Sequence, residues 1–372
     1  MSGYFDYNAT TPLHPAAGKA WLRASDHHWQ NASSLYREAA TVKQQLEAAR
    51  ERLGECLGCE PERIVFTSGA TEANNAIVRL YAAKQGAILS SSVEHPSLRF
   101  PLQRSFGSRL RLLRMHGDTS LDFEDFSRQV AEDRPALVTV MAANNEWGTL
   151  HPWRDLAQHC KEHAIPFHCD ASQWIGKLPS QELGLCDYIT GSGHKFGGPK
   201  GVGFLVMRDE SELLGFIDGG PQEEGRRAGT ENYPAIEAMV TALEAVSENL
   251  DAVATQQSGY RDHFAKTICH QLPGTRLIGG DTPRLWNTLM LVLPAHDNRK
   301  WLARLSQLGF AISTGAACSA GREGASMVLQ TLGISLEEMQ RVIRISSGWE
   351  TSAEDWTTLE QAILQVSKTL GL

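Results

Sequence analysis

The sequence predicts an α/β protein: a mostly parallel β-sheet covered by helices on both faces, with a second, smaller unit after it. Three observations carry this expectation. Short β-branched runs alternate with helical stretches between Ile64 and Met207, an order that favours parallel strands joined by crossover helices. After about residue 230 the texture changes to long helical segments. At 372 residues the chain is also too long for one small core.

In chain order, the stretch SSLYREAATVKQQLEAARERLGECL (33–57) places Val42, Leu46, Ala49, Leu53 and Cys56 at alternating steps of four and three. That spacing predicts an amphipathic helix, with a preceding serine as its cap. Ile64-Val65-Phe66 then predicts a strand, TSGA a glycine turn, and TEANNAI the start of a helix. The alternation continues through AILSS (87–91), ALVTVMAA (136–143), PFHCDA (166–171), DYITGS (187–192) and GVGFLVM (201–207), with helices near 122–131 and 153–163. Beyond residue 230, helical sequence from 235 to 270 precedes LMLVLP, a glycine-rich loop around Cys318 and the strand-like RVIRISSG.

Hydrophobic residues make up 42% of the chain and charged residues 21%, the balance of a soluble globular protein. No stretch approaches the roughly 20 apolar residues that cross a bilayer. The opening MSGYFDYNATTP lacks a basic and an apolar signal region, which predicts a cytoplasmic address and reduced thiols. Seven scattered cysteines, an odd number, fit no disulfide framework. A formal net charge of −8 argues against direct nucleic-acid binding, so any anion must be caught locally.

Three features suit one chemistry. In TSGATEANNA, a glycine lets backbone N–H groups approach a ligand at a helix start, where the dipole favours an anion; an ordinary capped turn would read the same. FHCDASQ puts Asp170 at the carboxyl end of a buried strand, where ligand crevices lie in open α/β sheets; a helix cap is the plainer alternative. TGSGHKFGGPKG (190–201) holds Lys195 among glycines, at the end of the next strand but one, where a salt bridge is the alternative. A lysine for a covalent bond, a carboxylate for a pyridinium nitrogen and an anion cradle are what pyridoxal phosphate needs.

FDYNATTPLHP, TSGATEANN, VEHPSL, NNEWGTLHP, FHCDASQWIGKLP, TGSGHKFGGPKG, RRAGTEN and STGAACSAG occur in the order found in cysteine desulfurases of the class V aminotransferase superfamily. The chain resembles that family, and its NifS/IscS-like long-loop group in particular, from residue 5 to 348. The resemblance implies the fold type I of pyridoxal-phosphate-dependent transferases, with a large domain at 14–250 and a small α+β domain formed by 1–13 and 251–372. It implies that Lys195 is the Schiff-base lysine, Asp170 the partner of the pyridine nitrogen and Gln173 the donor to the phenolic oxygen, with His95 stacked on the ring and carrying protons. Ala70, Thr71, Ser192 and His194 match the phosphate cradle. Thr230 matches a threonine reaching the neighbouring subunit's phosphate, which implies a homodimer. Asn145 and Arg344 match residues that hold the substrate carboxylate, Asn145 also lying beside the cofactor, and Cys318 matches the sulfur-accepting thiol.

The implied activity converts L-cysteine to L-alanine, leaving a persulfide on Cys318 for an unidentified sulfur-acceptor protein of iron–sulfur or thio-modification biosynthesis. A selenocysteine lyase or another class V aminotransferase or lyase would share the cofactor residues. A catalytically silent binding subunit would not need Lys195, Asp170 and Gln173 together. The chain departs from the family in DGGPQEEGRRAGT, where Pro221 and Glu224 replace a glycine and an arginine, so acid replaces base on an implied partner-facing rim. It also ends soon after its last helix, without the longer tail of scaffold-serving relatives. Two further groupings invite a metal reading: the CxxC of Cys56 and Cys59, and His159, His163 and His168 with Cys169. No second Cys or His pair at metal spacing accompanies the CxxC, which favours core packing, and the histidines fall on a helix end and a strand, so no metal is expected.

Overall fold

The computed structural model describes residues 3–208, 215–315 and 327–372. Its elements, in chain order, are α1 (Pro15–His27), α2 (Arg37–Leu57), β1 (Ile64–Thr67), α3 (Ala70–Ala82), β2 (Ile88–Ser91), α4 (Pro96–Phe106), β3 (Leu110–Leu113), α5 (Phe123–Asp133), β4 (Leu137–Thr139), α6 (Trp153–Glu162), β5 (Phe167–Asp170), β6 (Tyr188–Ser192), β7 (Gly203–Val206), α7 (Tyr233–Ser247), α8 (Leu250–Gln271), β8 (Arg276–Leu277), β9 (Thr288–Val292), α9 (Asn298–Gln307), α10 (Met327–Thr331), α11 (Leu336–Met339), β10 (Val342–Ser346) and α12 (Ala353–Thr369).

Seven strands form one sheet in the order β1-β7-β6-β5-β4-β2-β3. The pairs β3–β2, β2–β4, β4–β5 and β5–β6 are parallel, while β7 runs antiparallel to both β6 and β1. The reading of GVGFLVM as one more strand of this sheet holds, but its direction is reversed. Buried Val, Ile, Leu and Phe side chains pack on both faces, as a sheet covered on both sides requires. A separate three-stranded antiparallel sheet, β10-β9-β8, carries its own core of Phe264, Ile268, Trp301, Leu305, Trp356 and Ile363, and Phe5 from the start of the chain joins it.

Helix α2 buries the predicted face, Val42, Leu46, Ala49 and Leu53, and adds Leu57 in place of the half-buried Cys56. Its predicted serine cap does not form. The helix starts at Arg37 behind Tyr36, which makes no side-chain cap bond, and the Ser33 amide instead donates to Asn31 Oδ1 at 2.9 Å. Strand β3 was not predicted. It is an edge strand with two of its four residues exposed, so its composition is not that of a buried strand.

Candidate active site

Asp170 closes β5, and Lys195 follows β6 by three residues. Because β6 is both the next strand in sequence and the neighbour of β5 in the sheet, the two side chains leave the carboxyl ends of adjacent parallel strands. The expected intervening strand does not exist. The loop carrying Lys195 is held by the N-terminal segment. Thr11 donates its amide to the His194 carbonyl at 2.9 Å, and its hydroxyl accepts from the Gly197 amide at 2.8 Å. Gly197 sits at φ +89°, and a Cβ there would come 2.9 Å from His14 Cβ, so only glycine suits that turn.

Asn8 ties the site together. Its carbonyl accepts from Lys195 Nζ at 2.6 Å and from Gln173 Nε2 at 2.9 Å, and the Ala9 carbonyl accepts from Lys195 Nζ at 2.9 Å. The two predicted residues therefore meet on one backbone oxygen. Lys177, buried behind them, donates Nζ to Gln173 Oε1 at 2.7 Å, which fixes the amide so that its N–H end faces Asn8. Burial holds the Lys177 amine well below the usual lysine range, and the charges of Lys195 and Arg344 push it the same way.

Asp170 is nearly fully buried and accepts from Asn74 Nδ2 at 2.9 Å and the Ser172 amide at 3.0 Å. His95 caps α4: its Nδ1 accepts the Ser97 amide at 3.2 Å and lies 2.8 Å from Ser97 Oγ. Burial lowers the His95 pKa, with Asp170 pulling it up and Lys195 pushing it down, so His95 senses both groups. Glu94, next in chain, is wholly buried. Burial raises its carboxyl to about 8 against hydrogen bonds from Ser91 and the Met141 amide, and the nearby Asp170 raises it further.

The predicted anion cradle is the first turn of α3. Its N-cap is Gly69 at φ +149°, which offers no side-chain cap to the turn, and a Cβ there would lie 3.3 Å from Ser192 Oγ. Ser192 thus sits directly below the helix start that Ala70 and Thr71 open. His194 joins through a 3.1 Å contact between Nδ1 and Thr10 Oγ1, and burial together with Lys195 pushes its pKa down to about 4, leaving a neutral ring. Thr230 is exposed, on the loop before α7.

Arg344, on β10, is 2% exposed and pairs with Asp6 at 2.6 Å. Its Nη1 donates to the carbonyls of Asn145 at 2.9 Å and Gly315 at 3.4 Å, while its buried Nε has no hydrogen-bond partner among the described residues. Asn145 thus meets Arg344 through its backbone, its side chain being half-buried. Cys318 lies outside the described residues.

The Aminotransferase class-V family model matches residues 3–359. The chain belongs to the class-V aminotransferase family. Among its relatives is "Cysteine desulfurase IscS" of Dictyoglomus turgidum, 33% identical over 95% of this chain and 91% of the relative. Two solved structures lie close: a "NIFS-like protein" with a TM-score of 0.91 and 28% identity, covering 99% of this chain and 100% of that one, and "SspA in complex with cysteine", with a TM-score of 0.78 and 30% identity over 92% and 98%. The fold is the type I fold of pyridoxal-phosphate enzymes, and pyridoxal phosphate is the family's cofactor.

The residues present fit that group. Gly69 leaves the α3 start open above Ser192, an amide N–H and an amine share one carbonyl, and a carboxylate lies where it senses the same histidine as the amine. Sequence reasoning missed Asn8, Asn74, Ser97 and Lys177 as parts of the site, although all four stand inside quoted motifs. The alternative metal grouping does not assemble. His159 and His163 stack at 4.4 Å at the end of α6, His168 lies within the sheet, and no cluster of three or more ligand-type residues stands among the described residues. Cys56 and Cys59 are half-buried thiols whose pKa burial pushes to about 11. The Pro221–Arg226 loop lines a cleft of about 450 Å³ with Arg50, Glu47 and Lys43, apart from the predicted cofactor residues.

Proposed function

We propose that this protein is a pyridoxal-phosphate-dependent cysteine desulfurase that converts L-cysteine to L-alanine and holds the sulfur as a persulfide on Cys318. The observation that carries the reading is the shared Asn8 carbonyl, which brings Lys195 and Gln173 together beside His95 and Asp170. Ala70, Thr71, Ser192 and His194 would hold the phosphate, Asp170 the ring nitrogen and Gln173 the phenolic oxygen; Lys195 would carry the cofactor, and His95 and Asn145 would lie against it. When bound, pyridoxal phosphate supplies an electron sink for the amino acid joined to it.

The chain's own groups do the rest. Lys195 Nζ takes the Cα proton of the substrate and returns a proton to carbon, and the Asn8 and Ala9 carbonyls set where that amine rests. The substrate carboxylate is held by Arg344, whose Nε is unpaired among the described residues and whose Nη2 is aligned by Asp6. Cys318 Sγ, as thiolate, attacks the substrate sulfur. The S–S bond forms, the C–S bond breaks with its electrons moving to carbon, and protonation by His95 completes L-alanine. Cys318 follows Gly315, an Arg344 partner, by three residues, a reach of roughly 11 Å at full extension.

A homodimer belongs to the same reading, with Thr230 reaching the other subunit's phosphate. Leu22, Trp29, Leu35 and Tyr36 are exposed on the segment whose His28 ring packs 6.1 Å from Tyr233, three residues beyond Thr230. We further propose the division into a large domain at 14–250 and a small one at 1–13 and 251–372, a cytoplasmic address and an unidentified sulfur-acceptor protein. No helix among the described residues is long and apolar enough to cross a membrane. The test is L-cysteine turnover by the loaded protein. Alanine and sulfur should form one for one, with an added sulfur mapped to Cys318 by mass spectrometry. A Cys318→Ala protein that releases alanine at the full rate contradicts the role of Cys318, and selenide release from selenocysteine without sulfur from cysteine replaces the activity with that of a lyase.

A further inference from the structure

His168 enters neither a metal site nor the proposed reaction, yet it is fully buried and both its nitrogens are used. Its Nδ1 lies 2.8 Å from Thr139 Oγ1 and its Nε2 3.3 Å from Thr190 Oγ1. Thr190 donates its hydroxyl to Asn74 Oδ1 at 2.8 Å. Asn74 then spends both amide protons, one on Asp170 Oδ2 and one on Ser97 Oγ, each at 2.9 Å. Thr139, His168, Thr190 and Asn74 are all 0% exposed. Register explains the alignment: Thr139 faces His168 across β4–β5, and Asp170 faces Thr190 across β5–β6.

The donors in this line can point one way only. A carboxylate accepts and cannot give, so the amide nitrogen of Asn74 must face Asp170 and its oxygen must face Thr190. Thr190 gives its single proton to that oxygen, so toward His168 it can only accept, and His168 carries its proton on Nε2. Nδ1 then accepts from Thr139. Burial pushes the His168 pKa down to about 4, which fits a neutral ring with one donor and one acceptor. On the other branch, Ser97 Oγ receives Asn74 and turns its own proton toward His95 Nδ1, which already accepts the Ser97 amide. His95 is therefore protonated on Nε2, the form that can give a proton.

We propose that Asn74 is the positioning residue of this site: anchored through Thr190 and His168, its one amide both aligns the Asp170 carboxylate and turns the Ser97 hydroxyl onto His95 Nδ1, beside the Ser97 amide that holds the ring as the Nε2–H tautomer. The inference rests on the cofactor reading above, and its test separates the two. Binding of pyridoxal phosphate to the full-length chain is measured by titration, and the His95 tautomer by nitrogen NMR of protein carrying labelled histidine. Wild type that does not bind overturns the cofactor reading itself. Where it binds, Asn74→Leu should weaken binding about tenfold while His95 stays Nε2–H, since the Ser97 amide still donates to Nδ1. Ser97→Ala should leave cofactor affinity within about twofold, since it touches only the His95 arm, and should shift the Nδ1 resonance while the Ser97 amide keeps His95 as the Nε2–H tautomer. Thr190→Val should weaken binding and Thr190→Ser restore it, a rescue that loss of packing would not produce. These two comparisons decide the matter if Asn74→Leu does not fold. Wild-type affinity in Thr190→Val or Asn74→Leu, or a loss of affinity in Ser97→Ala as large as that in Asn74→Leu, overturns the proposal.

Discussion

Two histidines, His151 and His168, are both buried, and burial pushes both down to about 4. Their surroundings differ. His168 is held at both ring nitrogens by threonines of the neighbouring strands, whereas neither ring nitrogen of His151 has a partner among the described residues. Burial alone therefore decides that both rings are neutral, and partners decide whether a neutral ring can pass orientation to anything else. The line from Thr139 ends on Asp170, while His151 orients nothing through its ring and stands as a polar group paid for by its packing.

The largest expected effect separates the two directly. His168→Leu strands the Thr139 hydroxyl and takes from Thr190 the donor it accepts, and should cost about 3 kcal/mol of unfolding free energy, together with weaker cofactor binding. His151→Leu removes a ring with no partner and should leave stability unchanged or raise it by about 1 kcal/mol. Urea unfolding of the two variants reads the difference, and equal losses would break the comparison.

Acid should then show what the two share. A histidine depressed in the folded state binds its proton first in the unfolded chain, so stability falls as pH drops from 6.5 towards 4, by about 3 kcal/mol at most for each ring. Each Leu variant should remove a similar share of that slope. A slope carried by His151 alone would contradict burial as the common cause.

Glu94 has the opposite sign. Its folded-state proton is held up to about 8, while in the unfolded chain it leaves near 4.5, so its contribution is lost as pH rises between those values. Glu94→Gln should abolish on the order of 3 kcal/mol of that loss, seen by unfolding at pH 5 and pH 8. Smallest of all, a metal chelator should move the melting temperature of the wild-type protein by less than about one degree, because burial keeps the Cys56 and Cys59 thiols protonated. A larger drop would return the metal reading to consideration.

The sequence made the sheet legible because buried parallel strands are written as short runs of Val, Ile, Leu and Phe. It made Asp170 and Lys195 legible because both stand where such runs end, the lysine among glycines. Strand direction leaves no mark in composition, which is why the reversal of β7 was invisible, and β3 carries exposed Arg111 and Leu112 on a sheet edge. Asn8 could not be found from local pattern. Its importance lies in contacts with Gln173, Lys195, Asn287 and Thr288, all far along the chain. Asn74 looked like any polar residue near a helix start, and only the turn of α3 against β6 gives its amide two acceptors and a donor. Cys318 was singled out by a small-residue loop and a family resemblance, and its placement is outside the described residues.

Lysine identity is the most direct test of the account. The cofactor-loaded protein is reduced with borohydride, digested and mapped by mass spectrometry. A pyridoxyl group on Lys195 is the predicted result. The same group on Lys177, the buried lysine beside Gln173, or no fixed label at all, would contradict the placement of the cofactor between Lys195 and Asp170.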